Sequence, residues 1–206
     1  FTGTLTRYAN PTITGITSTP FAAAGGSTVT ITGSGFGAAD HNDISATYGS
    51  YTASSCDWQS PTEIQCTTVA GYGKELQWTL TVGGQSSGAF TGTLTRYAIP
   101  TITGISPTSF STAGGSTVTI SGAGFGPVDH SEISATYGSF TASSCDWQSP
   151  TQIECTTEAG IGNNLKWTVT ISSQSSGAFS GTITRYDTPT ISSIALTSDS
   201  VVSVTG

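Results

Sequence analysis

Four cysteines, two histidines and four tryptophans are the side chains best equipped for chemistry in this sequence of 206 residues. The cysteines come as two pairs, Cys56 with Cys66 and Cys145 with Cys155, each flanking a Ser-Pro-Thr turn. Each pair could face itself across two neighbouring strands. A disulfide there would close a loop of about 11 residues and contribute roughly 2–3 kcal/mol in the chain-entropy account. It would also imply an oxidising compartment. The rival reading is a metal site, but the long spacing within each pair, with no second pair close by, fits tetrahedral zinc poorly.

His41 and His130 each stand beside an aspartate. A catalytic histidine needs a nucleophile held within hydrogen-bond reach. With 70 serines and threonines in the chain, a hydroxyl near a histidine carries no information. Asp40, Asp43, Asp129 and Glu132 could gather a hard cation, yet their loops lack the ligand density of a calcium site. The expectation is a solvated loop at one end of each domain, with no catalytic, cofactor or metal site. Trp78 and Trp167 begin alternating stretches and are expected in the core. Trp58 and Trp147 follow Cys-Asp and are expected to cover the cysteine pairs, the alternative being an exposed platform on which a sugar stacks.

Composition excludes several partners. The formal net charge is −7 and only five residues are basic, which opposes nucleic acid binding. Only 8% of residues are charged, against roughly 25% in an average chain. No apolar run approaches the roughly 18 residues of a membrane span, so no membrane insertion is expected within this chain. Nothing reads as a secretory signal, so any such segment is expected to be removed or to lie outside the chain. No Asn-x-Ser/Thr acceptor occurs, because Asn10 precedes Pro11 and Asn42, Asn163 and Asn164 lack the hydroxyl residue. The abundance of Ser and Thr leaves covalent O-glycans as the possible modification.

The stretch Phe-Thr-Gly-Thr-Leu-Thr-Arg-Tyr at residues 1–8 returns at 90–97 and, slightly changed, at 179–186. The repeat has no insertion or deletion. Within it, Thr28-Val29-Thr30-Ile31-Thr32 and Trp78-Thr79-Leu80-Thr81-Val82 alternate with period 2, as half-buried strands do. Gly25-Gly26 and Gly83-Gly84 supply turns, and Phe36 is expected to turn into the core. No stretch shows a sustained helical period. Some seven short strands per repeat predict an all-β chain of two tandem antiparallel β-sandwiches. The junctions carry Pro11, Pro100 and Pro189, which makes them short and stiff.

The succession Pro-Thr-Ile-Thr-Gly-Ile, Gly-Gly-Ser-Thr-Val-Thr-Ile, Gly-x-Gly-Phe, then Cys56 and Ile64-Gln65-Cys66-Thr67-Thr68, resembles the IPT/TIG domain. The resemblance covers both repeats. It implies an early-set immunoglobulin-like sandwich and a bridge at each cysteine pair. Members occur in cell-surface receptors, microbial surface proteins, accessory modules of carbohydrate-active enzymes and transcription factors, and the acidic balance opposes the last. An extracellular or cell-surface location follows, without enzymatic activity.

The expected organisation is a lone last strand over 1–9, sandwiches over 10–98 and 99–187, and the opening of a further repeat over 188–206. Phe1, Gly3 and Leu5 are expected to share one face, as Phe90, Gly92 and Leu94 would, with Tyr8 closing the strand. Ile191, Ile194, Leu196, Val202 and Val204 would form the opposite joint. A strand without a sheet and a sandwich without its last strand suit one another, so strand addition between copies would give a head-to-tail filament. A cut through a longer array would give the same ends. The leading expectation is therefore a structural filament subunit whose partners are other copies. The alternative is a stalk or binding module of an adhesin or receptor that recognises protein or glycan.

Overall fold

In the computed structural model, residues 8–17, 20–40, 42–196 and 202–205 are described. Among them every regular element is a strand. The first domain comprises β1 (Thr12–Thr17), β2 (Thr28–Ser34), β3 (Ile44–Tyr48), β4 (Tyr51–Thr52), β5 (Ser55–Ser60), β6 (Glu63–Thr67), β7 (Trp78–Val82) and β8 (Gln85–Ala89). One sheet has the order β1-β2-β6-β5 and the other β4-β3-β7-β8. This is the two-sheet partition of an immunoglobulin-like sandwich.

The second domain repeats the plan with β9 (Thr101–Ser106), β10 (Ser109–Phe110), β11 (Thr117–Ala123), β12 (Ile133–Tyr137), β13 (Phe140–Thr141), β14 (Ser144–Ser149), β15 (Gln152–Thr156), β16 (Trp167–Ile171), β17 (Gln174–Ser175) and β18 (Arg185–Tyr186). Its sheets run β14-β15-β11-β9 and β13-β12-β16-β17. Two further strands, β19 (Ser193–Leu196) and β20 (Val202–Thr205), form an antiparallel hairpin.

The alternation of apolar and hydroxyl residues decides which face is buried. Along β7, Trp78, Leu80 and Val82 are buried while Thr79 and Thr81 are half-buried. Val29 and Ile31 of β2 meet them from the other sheet, and Phe36 is fully buried as expected. The tight turn before β2 depends on Gly25, whose φ is +80° and whose missing Cβ would lie 2.5 Å from the Ala70 backbone nitrogen.

The closing segment departs from expectation. Residues 90–97 do not form one continuous strand. The Phe90 amide donates to Trp78 O, and the next pairing is Thr95 with Leu76. Thr91 to Leu94 therefore bulge outward opposite Gln77 alone. The bulge resets the alternation, so Thr95 and Tyr97 are buried and Leu94 is exposed. Phe90, Gly92 and Leu94 do not share a core-facing side as expected. The second domain does the same, with Ile183 exposed and Thr184 and Tyr186 buried.

Candidate functional site

Each cysteine pair lies directly opposite on neighbouring antiparallel strands, Cys56 on β5 with Cys66 on β6, and Cys145 on β14 with Cys155 on β15. Both pairs are joined, with sulfur–sulfur distances of 2.02 and 2.03 Å. Trp58 and Trp147 are half-buried and pack on the two cores beside the cystines. Trp147 Nε1 donates to Gly126 O at 3.2 Å. Trp78 and Trp167 are fully buried, as their position predicts.

The end of each domain is fastened by a pair of tyrosines. Tyr97 OH donates to Val69 O at 2.7 Å, and the Val69 amide donates to Tyr48 OH at 2.8 Å. The two hydroxyls are 3.1 Å apart, so the proton between them comes from Tyr48. Tyr186, Tyr137 and the Glu158 backbone repeat the arrangement. Burial, followed by the hydrogen bond from its partner, pushes each closing tyrosine above the ordinary phenol range. Beside them, Trp78 Nε1 donates to Thr95 Oγ1, which donates to Leu76 O.

The junction between domains is ordered by side chains whose role the sequence did not disclose. Tyr72 of the first domain stacks on His130 of the second, with ring centroids 4.0 Å apart and planes 20° apart. His130 Nε2 lies 3.0 Å from Phe125 O. A carbonyl only accepts, so Nε2 carries the proton. Gly126, with φ +87°, leaves room for the stack, because a Cβ there would lie 2.9 Å from both Tyr72 and His130. His130 is thus half-buried in a joint and not in the solvated loop expected; His41 lies outside the described residues. Burial first, then Tyr51 and Glu132, raise the Tyr72 phenol. Beside the stack, a cleft of about 490 Å³ is lined by Ala22, Ala70 and Ile99 on one side and Pro127 and Pro150 on the other.

A second contact crosses the junction between the two domains and has a counterpart ahead of the first domain. Gln174 Nε2 donates to Tyr97 O at 3.1 Å, and Gln85 Nε2 donates to Tyr8 O at 2.8 Å. Tyr8 therefore meets the first domain as Tyr97 meets the second, although the Tyr8 ring is exposed. Among the other expected joint residues, Ile191 and Ile194 are exposed. Phe1, Gly3 and Leu5 lie outside the described residues. In the terminal hairpin, Ile194 pairs with Val204 and Leu196 with Val202. Among the described residues, no group of three or more His, Cys, Asp or Glu side chains converges on a point that could hold a metal.

The IPT/TIG domain family model matches residues 11–97 and again 100–186. The chain belongs to the IPT/TIG family. No curated protein sequence matches it. Among solved structures, the surface glycan-binding protein PbSGBP-B from Prevotella bryantii superposes with a TM-score of 0.57 at 13% identity, over 81% of this chain and 41% of that one. The plexin A4 extracellular region gives 0.41 at 21% identity, over 86% of this chain and 18% of that one. The Yersinia pseudotuberculosis adhesin InvE gives 0.48 at 14% identity, over 89% and 62%. The chain thus spans less than two thirds of each, and at 13% identity the likeness to PbSGBP-B concerns the fold alone. The two formed disulfides accord with an extracellular or cell-surface location for these IPT/TIG domains.

Proposed function

We propose that the chain is a non-enzymatic extracellular adhesion or binding module in which IPT/TIG sandwiches act as a serial rod. The observation that carries this reading is the repeated docking contact. Gln85 holds Tyr8 O as Gln174 holds Tyr97 O, so the same hydrogen bond ahead of a sandwich recurs at two successive positions along the chain.

At finer resolution, copies join head to tail into a filament. The segment with Phe1, Gly3, Leu5 and Tyr8 adds to an incomplete sandwich of another copy, opened by the stretch bearing Ile191, Ile194, Leu196, Val202 and Val204. The first domain indicates which side chains such a donor would bury. Thr95 and Tyr97 face the core there, so the equivalent Thr6 and Tyr8 fill that role in the donor. O-glycans on the outward Ser and Thr, such as exposed Thr12, Thr28 and Ser55, would coat the rod. Intact mass equal to that of the bare polypeptide would eliminate the glycans.

Electron microscopy of the purified protein beside a version lacking residues 1–8 tests the filament. Filaments that vanish on deletion support strand exchange. Single rods in both samples refute it and leave the second reading, a stalk or binding module for protein or glycan. That reading draws on the fold shared with a surface glycan-binding protein.

A further inference from the structure

We infer that each sandwich is built to carry tension along the chain, and that its mechanical clamp is the parallel pairing between the segment after the first strand and the last residues of the domain. In the first domain Phe21 pairs in parallel with Tyr97. The Phe21 amide donates to Arg96 O at 2.9 Å, and the Ala98 amide to Phe21 O at 2.8 Å. In the second domain β10 pairs in parallel with β18. The Arg185 amide donates to Thr108 O at 3.0 Å, and the Asp187 amide to Phe110 O at 2.9 Å.

Chain direction makes this pairing consequential. Tension enters a domain at its first residue and leaves at its last. Two parallel segments, one near each end, are then drawn past one another. Their hydrogen bonds lie across the force and load together. A hairpin pulled at its open end instead breaks its bonds singly.

Two hydrogen bonds would be a weak clamp, at roughly 0.5–1.5 kcal/mol each. The buried surroundings reinforce them. Phe21 and Tyr97 are buried to 1% and 0% exposure. The Phe21 ring meets Tyr48, Trp78 and Tyr97 edge-on. The Tyr97 amide donates to Gly73 O, and its hydroxyl to Val69 O. For the last segment to slide by one residue, the Tyr97 ring must leave the core and these bonds must all break together. Gln174 holds the carbonyl of the same Tyr97, so the clamp of one domain is also where the next domain grips. The property is independent of whether the neighbours are copies or further domains of a longer chain.

Single-molecule stretching tests it. The full chain is pulled from its two ends, and separately between residue 10 and a ligation tag inserted between Gly83 and Gly84, which are both exposed. Those two points lie at the same end of the domain, since Gln85 reaches Tyr8 O, so that direction unzips the strands. End-to-end pulling should give one unfolding event per sandwich at several-fold higher force than unzipping. Reduction should lengthen each event by about 30 Å, as the ten-residue span between cystine partners is released. Tyr97→Phe should lower the end-to-end force of the first domain and leave its unzipping force unchanged. A thermal melt of the tagged chain checks that the insertion folds; if it does not, the Tyr97→Phe comparison decides. Equal forces in the two directions, or an unchanged end-to-end force in Tyr97→Phe, overturn the inference.

Discussion

Removing one disulfide from one domain offers a test with its own internal control. Consider Cys145→Ala with Cys155→Ala, leaving the first domain untouched. The cystine partners are 10 residues apart, so the closed loop holds 11 residues counting both ends. The chain-entropy relation gives the unfolded state about 9 cal/mol/K of extra freedom when that loop opens, or about 2.8 kcal/mol at 25 °C. Cys155 is 1% exposed. Trimming its sulfur from the core adds about 0.8 kcal/mol, comparable to a buried methylene. The total is about 3.6 kcal/mol. At about 2.1 cal/mol/K per residue, a domain of this size unfolds with roughly 180 cal/mol/K, so the loss lowers Tm by roughly 20 °C. Differential scanning calorimetry reads it directly. The variant should show two transitions, one near the parent temperature for the first domain and one roughly 20 °C below it. A displacement under about 5 °C would refute the loop-entropy reasoning, since it leaves room for the lost burial of the sulfur alone. Two transitions falling together would show that the domains unfold as one unit and that the junction dominates their stability.

The remaining predictions concern the tyrosines, the tryptophan anchor and the joint. Tyr97 and Tyr186 have phenols raised above the ordinary value, so their stabilisation is complete below about pH 10 and is lost as pH climbs from there through the folded-state values. Melts from pH 8 to 12, followed by phenolate absorbance, should show late, cooperative ionisation, and Tyr97→Phe with Tyr186→Phe should flatten that dependence. Thr95→Val strips Trp78 Nε1 of its acceptor while keeping the shape, and should cost about 1–3 kcal/mol in urea unfolding of the first domain. Gly126→Ala drives a Cβ into Tyr72 and His130 at a positive φ. It should leave both folds intact and broaden the interdomain distance distribution seen by small-angle scattering; an unchanged profile would mean the stack does not hold the joint.

Much of the sandwich was legible because its signals are local. The alternation in Thr28–Ser34 and Trp78–Val82 states which side chains turn inward, and Gly25 marks a turn that only glycine fits. The fully buried Trp78 and Phe36 followed from position alone. Other features were legible in part. The spacing of Cys56 and Cys66 around a turn allowed a bridge, but only the register that sets them opposite on β5 and β6 brings the sulfurs together. The His130 loop read as solvated because its partner, Tyr72, lies 58 residues earlier in another domain. No local pattern announces that contact.

The sequence by itself determined the duplicated all-β plan, the strands and their inward residues, the turns and the cysteine positions, because period-2 alternation and turn chemistry act over a few residues. Only the tertiary structure decided the parity of the closing segment, the tyrosine pairs, the Tyr72–His130 joint and the parallel clamp at Phe21 and Tyr97. Alternation predicts faces only while a strand stays in register, and the bulge over Thr91 to Leu94 resets it, burying Thr95 and exposing Leu94. The other contacts join residues dozens of positions apart, and they exist only once two sheets and two domains have been brought face to face.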